Sequence, residues 1–187
     1  MNLREIMKLT EDVAKELLRK RGLPVPQGTV ATTASVAAIA AKGYGGAVAV
    51  KALIAAGRRG KAGLVRLAET EELASQAAAD LLGIKAMGGK VERLYVERQV
   101  DIGRELYLSF AFADRTLRMV LSCQGGVDIE ALHAASPEKI LVVDIDAVRG
   151  LKPWDAIAHW SGAGLTGRPL AAVGRLTAQL YNAFVAS

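Results

Sequence analysis

The spacing of apolar and polar positions in the first half of the chain predicts helices that alternate with strands. Apolar residues recur at helical spacing between Leu3 and Lys20, and Gly22 follows as a helix terminator. Short runs rich in Val and Ala, bounded by glycine or by charged residues, predict buried strands. The predicted helices are Leu3–Lys20, a segment from a cap at Thr32 or Thr33 to Lys42, and a segment from the cap Thr70 to Leu82; the predicted strands are Ala47–Leu53, Leu64–Ala68 and Val91–Val96.

The second half of the chain predicts strands first and helices afterwards. The segment ELYLSFAFA is rich in the aromatic and apolar residues that are typical of strands. The predicted strands are Glu105–Ala113, Leu117–Ser122 and Lys139–Ile145, with a turn at Asp114-Arg115, and the predicted helical segments are Asp128–His133, Trp154–Trp160 and Pro169–Val185. This order favours an α+β fold with two lobes and a boundary near Arg98–Asp101.

Composition and charge narrow the possible partners. The chain has 187 residues, 51% of them hydrophobic, and no apolar run reaches the length of a membrane span, so neither disorder nor membrane insertion is expected. The net charge of +5 favours an anionic partner. Nucleic acid is not expected, because the basic residues are dispersed and aromatic residues make up only 5%. Cys123 is the single cysteine, which fits a reducing cytoplasm and an inert, buried thiol.

The segment AVAVKALIAAGRRGKAG, Ala47–Gly63, is a candidate polyphosphate site. Lys51 lies in an apolar strand, where a cation is costly unless it meets an anion. The loop that follows combines glycines, which let backbone N–H groups approach a ligand, with the cations Arg58, Arg59 and Lys61. The alternative interpretation of the loop is a solvated basic hairpin.

Several phrases resemble the succinyl-CoA synthetase β-subunit family. MNLREI, RGLPVPQG, AGRRGKAG, VERQVDIGRELYL and ADRTLRMVLSCQGGVDIE occur here in the family's order and cover nearly the whole chain. The resemblance implies an ATP-grasp fold over residues 1–187, with lobe A at about 23–98, lobe B at about 1–22 plus 99–187, and the nucleotide between them. Malate–CoA ligase and other acid–CoA ligases share these phrases, so the resemblance indicates an acid–CoA ligase and leaves the acid open.

The resemblance also implies which residues bind nucleotide. Lys51 and the loop triplet would contact phosphates, Glu97 and Val100 would lie at the hinge beside purine and ribose, and Glu105 would face the nucleotide. Alternatives remain open for three of these residues. Lys51 could form a structural salt bridge, Glu97 could pair with Arg98 or Arg104, and Glu105 could face solvent. The implied cofactor-binding residues are Lys51, Arg58, Arg59, Gly60, Glu97, Val100 and Glu105.

Three departures from the family pattern qualify this expectation. Arg58 replaces a family glycine, and Ala55 stands where a histidine is common. The chain stops before the family's Glu-Ile-Asn-Pro segment and the aspartate that hold Mg²⁺, so no metal ligand and no catalytic residue is expected here. Pro26 falls where guanine-preferring members carry a glutamine, which favours ATP over GTP.

The leading hypothesis is the nucleotide-binding module of an acid–CoA ligase, a central-metabolic enzyme of the tricarboxylic acid cycle type. Its expected partners are nucleotide and either an α-like CoA-binding subunit or a C-terminal ligase domain. The alternative is a degenerate, non-catalytic module retained for subunit docking. His133 and His159 have no metal-ligand spacing, Trp154 and Trp160 are expected in the core or at a lobe interface, and Asp144 with Asp146 is interpreted as a solvent-facing strand end.

Overall fold

The computed structural model describes residues 9–54, 62–86, 89–113 and 116–186. The chain divides into two compact units, Met1–Asp101 and Ile102–Ser187. Helix α1 lies in the first unit, whereas the sequence grouped residues 1–22 with the second lobe. The assignment of the family's two lobes stays a prediction.

The first unit is a four-stranded antiparallel sheet with helices and a small hairpin. The strand order is β1-β6-β2-β3, and the hairpin pairs β4 with β5. Its elements are α1 (Glu11–Lys20), β1 (Gly28–Ala31), α2 (Ala34–Tyr44), β2 (Val48–Ala52), β3 (Val65–Ala68), α3 (Glu71–Leu81), β4 (Lys85–Ala86), β5 (Gly89–Lys90) and β6 (Leu94–Arg98).

The two faces of this sheet differ in chemistry, because side chains alternate along each strand. One face packs against the alanine-rich helices α2 and α3 to form a core that includes Val48 and Val50 from β2 and Leu94 and Val96 from β6. These four side chains are fully buried. The opposite face of the same two strands carries Ala49, Lys51, Tyr95 and Glu97.

The predicted caps of the second and third helices are confirmed. The side chain of Thr33 accepts a hydrogen bond from the backbone N–H of Val36, and that of Thr70 accepts one from Leu73. Helix α2 runs past Lys42, its predicted end, to Tyr44. It ends at Gly45, whose φ of 66° is the left-handed conformation that glycine adopts without strain.

The second unit combines a three-stranded antiparallel sheet, of order β7-β8-β9, with two packed helices. Alternate residues of β8, together with Trp160, form its core. Its elements are β7 (Tyr107–Ala113), β8 (Thr116–Ser122), α4 (Ile129–Ala135), a 3₁₀ turn (Pro137–Lys139), β9 (Leu141–Ile145), α5 (Pro153–Gly162) and α6 (Pro169–Val185).

Helices α5 and α6 are joined by a buried hydrogen bond and by close packing. The indole Nε1 of Trp160 donates to the hydroxyl of Thr177 at 2.8 Å. Gly174 of α6 lies against the backbone of Ile157, where a Cβ would come within 3.0 Å of the Ile157 Cα. Trp160 is therefore in the core as predicted. Trp154 is not, because it lies in the first turn of α5 with 64% of its surface exposed.

Three predicted strands start two or three residues later in the structure than in the sequence-based assignment. The backbone of Val91 is engaged by Gly83 and Ile84, so β6 begins at Leu94. The carbonyl of Glu105 accepts a hydrogen bond from Gly125, and β7 begins only at Tyr107. The third strand, β9, starts at Leu141 because the 3₁₀ turn takes up the preceding residues.

Residues 1–8, which include the start of the first predicted helix, and the turn Asp114-Arg115 lie outside the described part of the chain. Across the described ranges, no helix combines the length and the apolar character that crossing a bilayer requires.

Candidate functional site

Lys51 and Glu97 project from neighbouring strands on the polar face of the first sheet. In the antiparallel register of β2 and β6, Lys51 lies opposite Tyr95, and Glu97 lies opposite Ala49. Lys51 and Glu97 are therefore diagonal neighbours, within the reach of long side chains at about 7–8 Å. Their ammonium and carboxylate groups form a close salt bridge through Glu97 Oε2.

Helix α1 supplies two further charges to the same place. Glu11 and Lys15 are four residues apart and so share one face of the helix. The Nζ of Lys15 lies 2.7 Å from Glu11 Oε1 and also contacts Glu97 Oε1. The Nζ of Lys51 lies 3.0 Å from Glu11 Oε1. The four side chains Glu11, Lys15, Lys51 and Glu97 thus alternate in sign around a closed circuit, which we call the charge ring.

The charge ring is largely shielded from solvent. The side chain of Glu97 is 7% exposed, and those of the other three members are 16–20% exposed. An unpaired charge at this depth is costly, so each carboxylate depends on the lysines around it.

Electrostatics within the ring favour the charged form of both Glu11 and Lys51. Burial acts to raise the pKa of Glu11, but the hydrogen bonds and positive charges of Lys15 and Lys51 outweigh it and lower this pKa to about 2. Burial likewise acts to lower the pKa of Lys51, but its hydrogen bonds with Glu97 and Glu11 and their negative charges raise the pKa above its ordinary value. Both groups are therefore ionised at neutral pH.

The aromatic ring of Tyr95 lies beneath the side chain of Lys15. The Lys15 ammonium lies 5.3 Å from the centre of the Tyr95 ring, within the range of a cation–π contact. The same ring passes over Gly28 of β1, where any Cβ would overlap it. Glycine at position 28 thus lets the tyrosine lie flat on the sheet beneath helix α1.

The structure describes four of the seven predicted site residues, and it brings two of these four, Lys51 and Glu97, together. Lys51 and Glu97 are in direct contact, and Glu97 pairs with Lys15 and Lys51, so the predicted alternative of a pairing with Arg98 or Arg104 is wrong. Val100 follows β6 and is 49% exposed. The loop residues Arg58, Arg59 and Gly60, together with Ala55, lie outside the described residues.

The fourth described residue, Glu105, lies in the second unit and is exposed. Its backbone and side chain fit closely against the Gly125-Gly126 turn. A Cβ on Gly125 would lie 2.6 Å from the Glu105 carbonyl carbon, and a Cβ on Gly126 would overlap its carboxylate. The two glycines that follow Gln124 are therefore explained by the need to accommodate Glu105. Its predicted role at the nucleotide remains a prediction.

The remaining candidate residues make structural contacts. Asp144 forms a salt bridge with Arg118 across β8 and β9, and Asp146 accepts hydrogen bonds from the backbone N–H groups of Val148 and Arg149. Both aspartates are exposed, as the solvent-facing interpretation predicts. Cys123 is a free, half-buried thiol at the edge of the second core. Within the described ranges, no group of three His, Cys, Asp or Glu side chains is placed to hold a metal ion.

Comparison with known families identifies the fold. Residues 8–187 match the ATP-grasp_2 family, described as an ATP-grasp domain. The chain belongs to this family. The predicted α+β ATP-grasp fold and the resemblance to succinyl-CoA synthetase β subunits are both confirmed.

Curated relatives of this ATP-grasp domain are β subunits of ADP-forming succinate–CoA ligases. The subunit of Rubrobacter xylanophilus is 43% identical over 181 residues, which cover 95% of this chain and 47% of the relative. That of a Roseiflexus species is 40% identical over 183 residues, covering 96% of this chain and 48% of the relative. The chain thus spans about half the length of the curated relatives it matches.

Solved structures share the fold at low sequence identity. PH1788 from Pyrococcus horikoshii is 18% identical with a TM-score of 0.73, covering 95% of this chain and 77% of that one. A dinucleotide-forming acetyl-coenzyme A synthetase of Ca. Korarchaeum cryptofilum is 18% identical with a TM-score of 0.77, covering 96% and 81%. At this identity the likeness supports the fold alone.

The ATP-grasp domain has groups that fit a nucleotide. A lysine ammonium has three N–H donors, and the described carboxylates engage Lys51 in two contacts, which leaves one donor for a phosphate oxygen. Each carboxylate oxygen of Glu97 retains acceptor capacity for a hydroxyl group after its lysine contact. The described residues do not fit Mg²⁺ in the same way, since they offer no cluster of carboxylates around one point.

Sequence reasoning missed Glu11 and Lys15. Their spacing of four residues on a helix was a visible signal of a local ion pair. What the sequence did not show is that this pair lies against Lys51 and Glu97, which are 40 and 82 residues away along the chain from Glu11 and Lys15 respectively.

Proposed function

We propose that this chain is the nucleotide-binding module of an acid–CoA ligase of the succinate–CoA ligase type, and that its nucleotide is ATP. The observation that carries the proposal is the direct contact of Lys51 with Glu97 on one face of an ATP-grasp sheet. Lys51 contacts the phosphates, and Glu97 accepts a hydrogen bond from the ribose. The loop residues Arg58, Arg59 and Gly60 add charge and backbone donors at the phosphates.

Two further residues complete the proposed nucleotide site. Val100 supplies an apolar wall for the purine, and Glu105 faces the nucleotide. ATP is favoured over GTP because Pro26 replaces the glutamine of guanine-preferring relatives. Mg²⁺, which offsets phosphate charge in phosphoryl transfer, would be held by residues other than those described here.

In the complete enzyme, ATP phosphorylates an enzyme histidine and the phosphate then passes to a carboxylic acid. The thiol of CoA displaces that phosphate to give the acyl-CoA thioester. We propose that this chain contributes nucleotide binding, and that an α-like CoA-binding subunit or a ligase domain contributes the rest. The similarity to β subunits supports the existence of such a partner. A cytoplasmic location is part of the proposal and rests on the single cysteine.

Calorimetric titration of the 187-residue chain with ATP tests the proposal. We expect saturable binding by the wild type that is lost, or weakened at least about tenfold, in Lys51→Met, because a charged hydrogen bond to phosphate is removed. Lys42→Met is the matched control, since that side chain is 74% exposed on α2. Absence of binding at millimolar ATP in the wild type would contradict the proposal and favour a degenerate docking module.

A further inference from the structure

Helix α1 contacts the polar face of the first sheet through charged side chains. None of its residues is buried. A cavity of about 370 Å³ separates part of the helix from the sheet. Its lining includes Val13 and Leu17 of the helix and Val30 and Tyr95 of the sheet. Glu11 and Lys15 are held over Lys51 and Glu97 by charged contacts, and α1 contributes no fully buried side chain.

The two helix residues act on Lys51 with opposite signs. Glu11 Oε1 accepts a hydrogen bond from Lys51 at 3.0 Å, so its carboxylate occupies one of the donors that an incoming anion needs. Lys15 binds the same two carboxylates, Glu97 and Glu11, so it partly neutralises their negative charge and adds a positive charge near Lys51. Glu11 thus competes with an anion for Lys51, whereas Lys15 favours binding of the anion.

We propose that helix α1 sets the affinity of Lys51 for phosphate through Glu11, a built-in competitor, and Lys15, a positioning residue that engages the competing carboxylates. The proposal rests on the proposed function and extends the site to a helix that need not touch the nucleotide. If the charge ring only supports the structure, Glu11→Gln and Lys15→Met should both weaken ATP binding. Charge control predicts that the two substitutions change binding in opposite directions.

Calorimetric titration with ATP at low ionic strength separates these possibilities. We expect Glu11→Gln to tighten binding about threefold to tenfold, and Lys15→Met to weaken it by a similar factor, because each changes one charge within a few ångströms of the Lys51 ammonium. Loss of affinity in both variants, or no change in either, would overturn the proposal.

Matched controls come from the same helix. Glu16→Gln and Lys20→Met make the same changes of charge on side chains that are 51% and 70% exposed and that pair with each other at 3.8 Å. Both are expected to leave ATP affinity within about twofold of the wild type, because exposed charges are screened. Shifts as large as those of Glu11→Gln and Lys15→Met would show that net charge, and not the ring, controls binding.

A second readout does not depend on ATP. The rate at which an N-hydroxysuccinimide ester acylates Lys51, quantified by mass spectrometry against exposed Lys42, reports how firmly the ammonium is held. We expect Glu11→Gln to speed acylation of Lys51 about threefold and Lys15→Met to slow it, since only the free amine reacts. If the two variants change the acylation rate in opposite directions but the wild type does not bind ATP, only the proposed function is contradicted. If neither variant changes the acylation rate, the charge-control inference is overturned.

Discussion

The ammonium of Lys15 and the carboxylate of Glu97 join helix α1 to strand β6 across 82 positions of sequence. Because Glu97 is also bound to Lys51 of β2, this one carboxylate ties a helix to two adjacent strands. Its side chain is 7% exposed, so neither lysine can readily exchange it for water. The stability of the first unit is therefore expected to depend on Glu97.

Glu97→Gln is expected to destabilise the chain by about 3 kcal/mol, because removing one member of a buried ion cluster leaves its partners uncompensated. Urea denaturation followed by circular dichroism measures this loss. Glu92→Gln, at an exposed position just before β6, is the matched control and should change stability by less than about 0.5 kcal/mol. Equal urea midpoints for Glu97→Gln and Glu92→Gln would contradict a stabilising role of the buried charge ring.

Glu11 gives the protein a specific acid sensitivity. Its pKa is lowered from 4.5 to about 2 in the folded chain, so the folded state binds this proton less readily than the unfolded state. The resulting stabilisation is fully present above the unfolded value and is lost as pH falls from about 4.5 through 2.

The urea midpoint of the wild type should accordingly approach that of Glu11→Gln as pH is lowered from 6 to about 3, since the advantage of the ionised carboxylate disappears. Glu16→Gln, at a half-exposed position on the same helix, is the matched control for the loss of one helix carboxylate. A wild-type advantage over Glu11→Gln that stays constant across this range would show that Glu11 does not carry the effect.

The hydrogen bond between Trp160 and Thr177 is expected to stabilise the second unit. Thr177 is 1% exposed, and the bond is 2.8 Å long. Thr177→Val keeps the shape but removes the acceptor, and leaving the buried indole N–H unpaired should cost about 1–3 kcal/mol. Thr177→Ser retains the hydroxyl and should lose less of the unfolding free energy. Equal losses in the two variants would assign the effect to packing alone.

Gly174 is expected to be required for the approach of α6 to α5. A methyl group there would press on the Ile157 backbone, so Gly174→Ala should destabilise the chain by about 1–3 kcal/mol despite the higher helix propensity of alanine. Gly162→Ala is the control, because its Cβ would meet only a Leu141 methyl at 4.0 Å. Thermal melting of both variants measures the difference, and a melting temperature for Gly174→Ala at or above that of the wild type would contradict the close packing.

Much of the fold follows from local sequence signals. Thr33 and Thr70 mark helix starts through side-chain caps, and the apolar run around Lys51 predicts strand β2, because these patterns depend on residues close together in the chain. The ATP-grasp fold and the placement of Lys51 and Glu97 at one nucleotide site came from the family resemblance, whereas their direct contact came from the structure. Strand starts were less accurate, since backbone contacts from distant loops decide them, as Gly125 does at Glu105.

The charge ring could not be predicted from local sequence signals. Glu11 and Lys15 read as an ordinary helical ion pair, and their contact with the sheet is a tertiary event that no local pattern encodes. Lys51 was interpreted either as a phosphate ligand or as a structural salt bridge. The structure shows the salt bridge, and the donor that the described carboxylates leave on the ammonium is the basis for proposing the phosphate contact as well.

Labelling with an ATP analogue that carries an acyl group on its terminal phosphate tests most directly whether Lys51 meets nucleotide phosphates. Such a probe transfers its acyl group to a lysine amine beside the bound phosphates, and mass spectrometry of the digested chain identifies the lysine. We expect acylation of Lys51 that excess ATP suppresses, with exposed lysines such as Lys42 labelled equally with and without ATP. Labelling of Lys51 that ATP does not suppress, or ATP-sensitive labelling only at lysines remote from the charge ring, would contradict it.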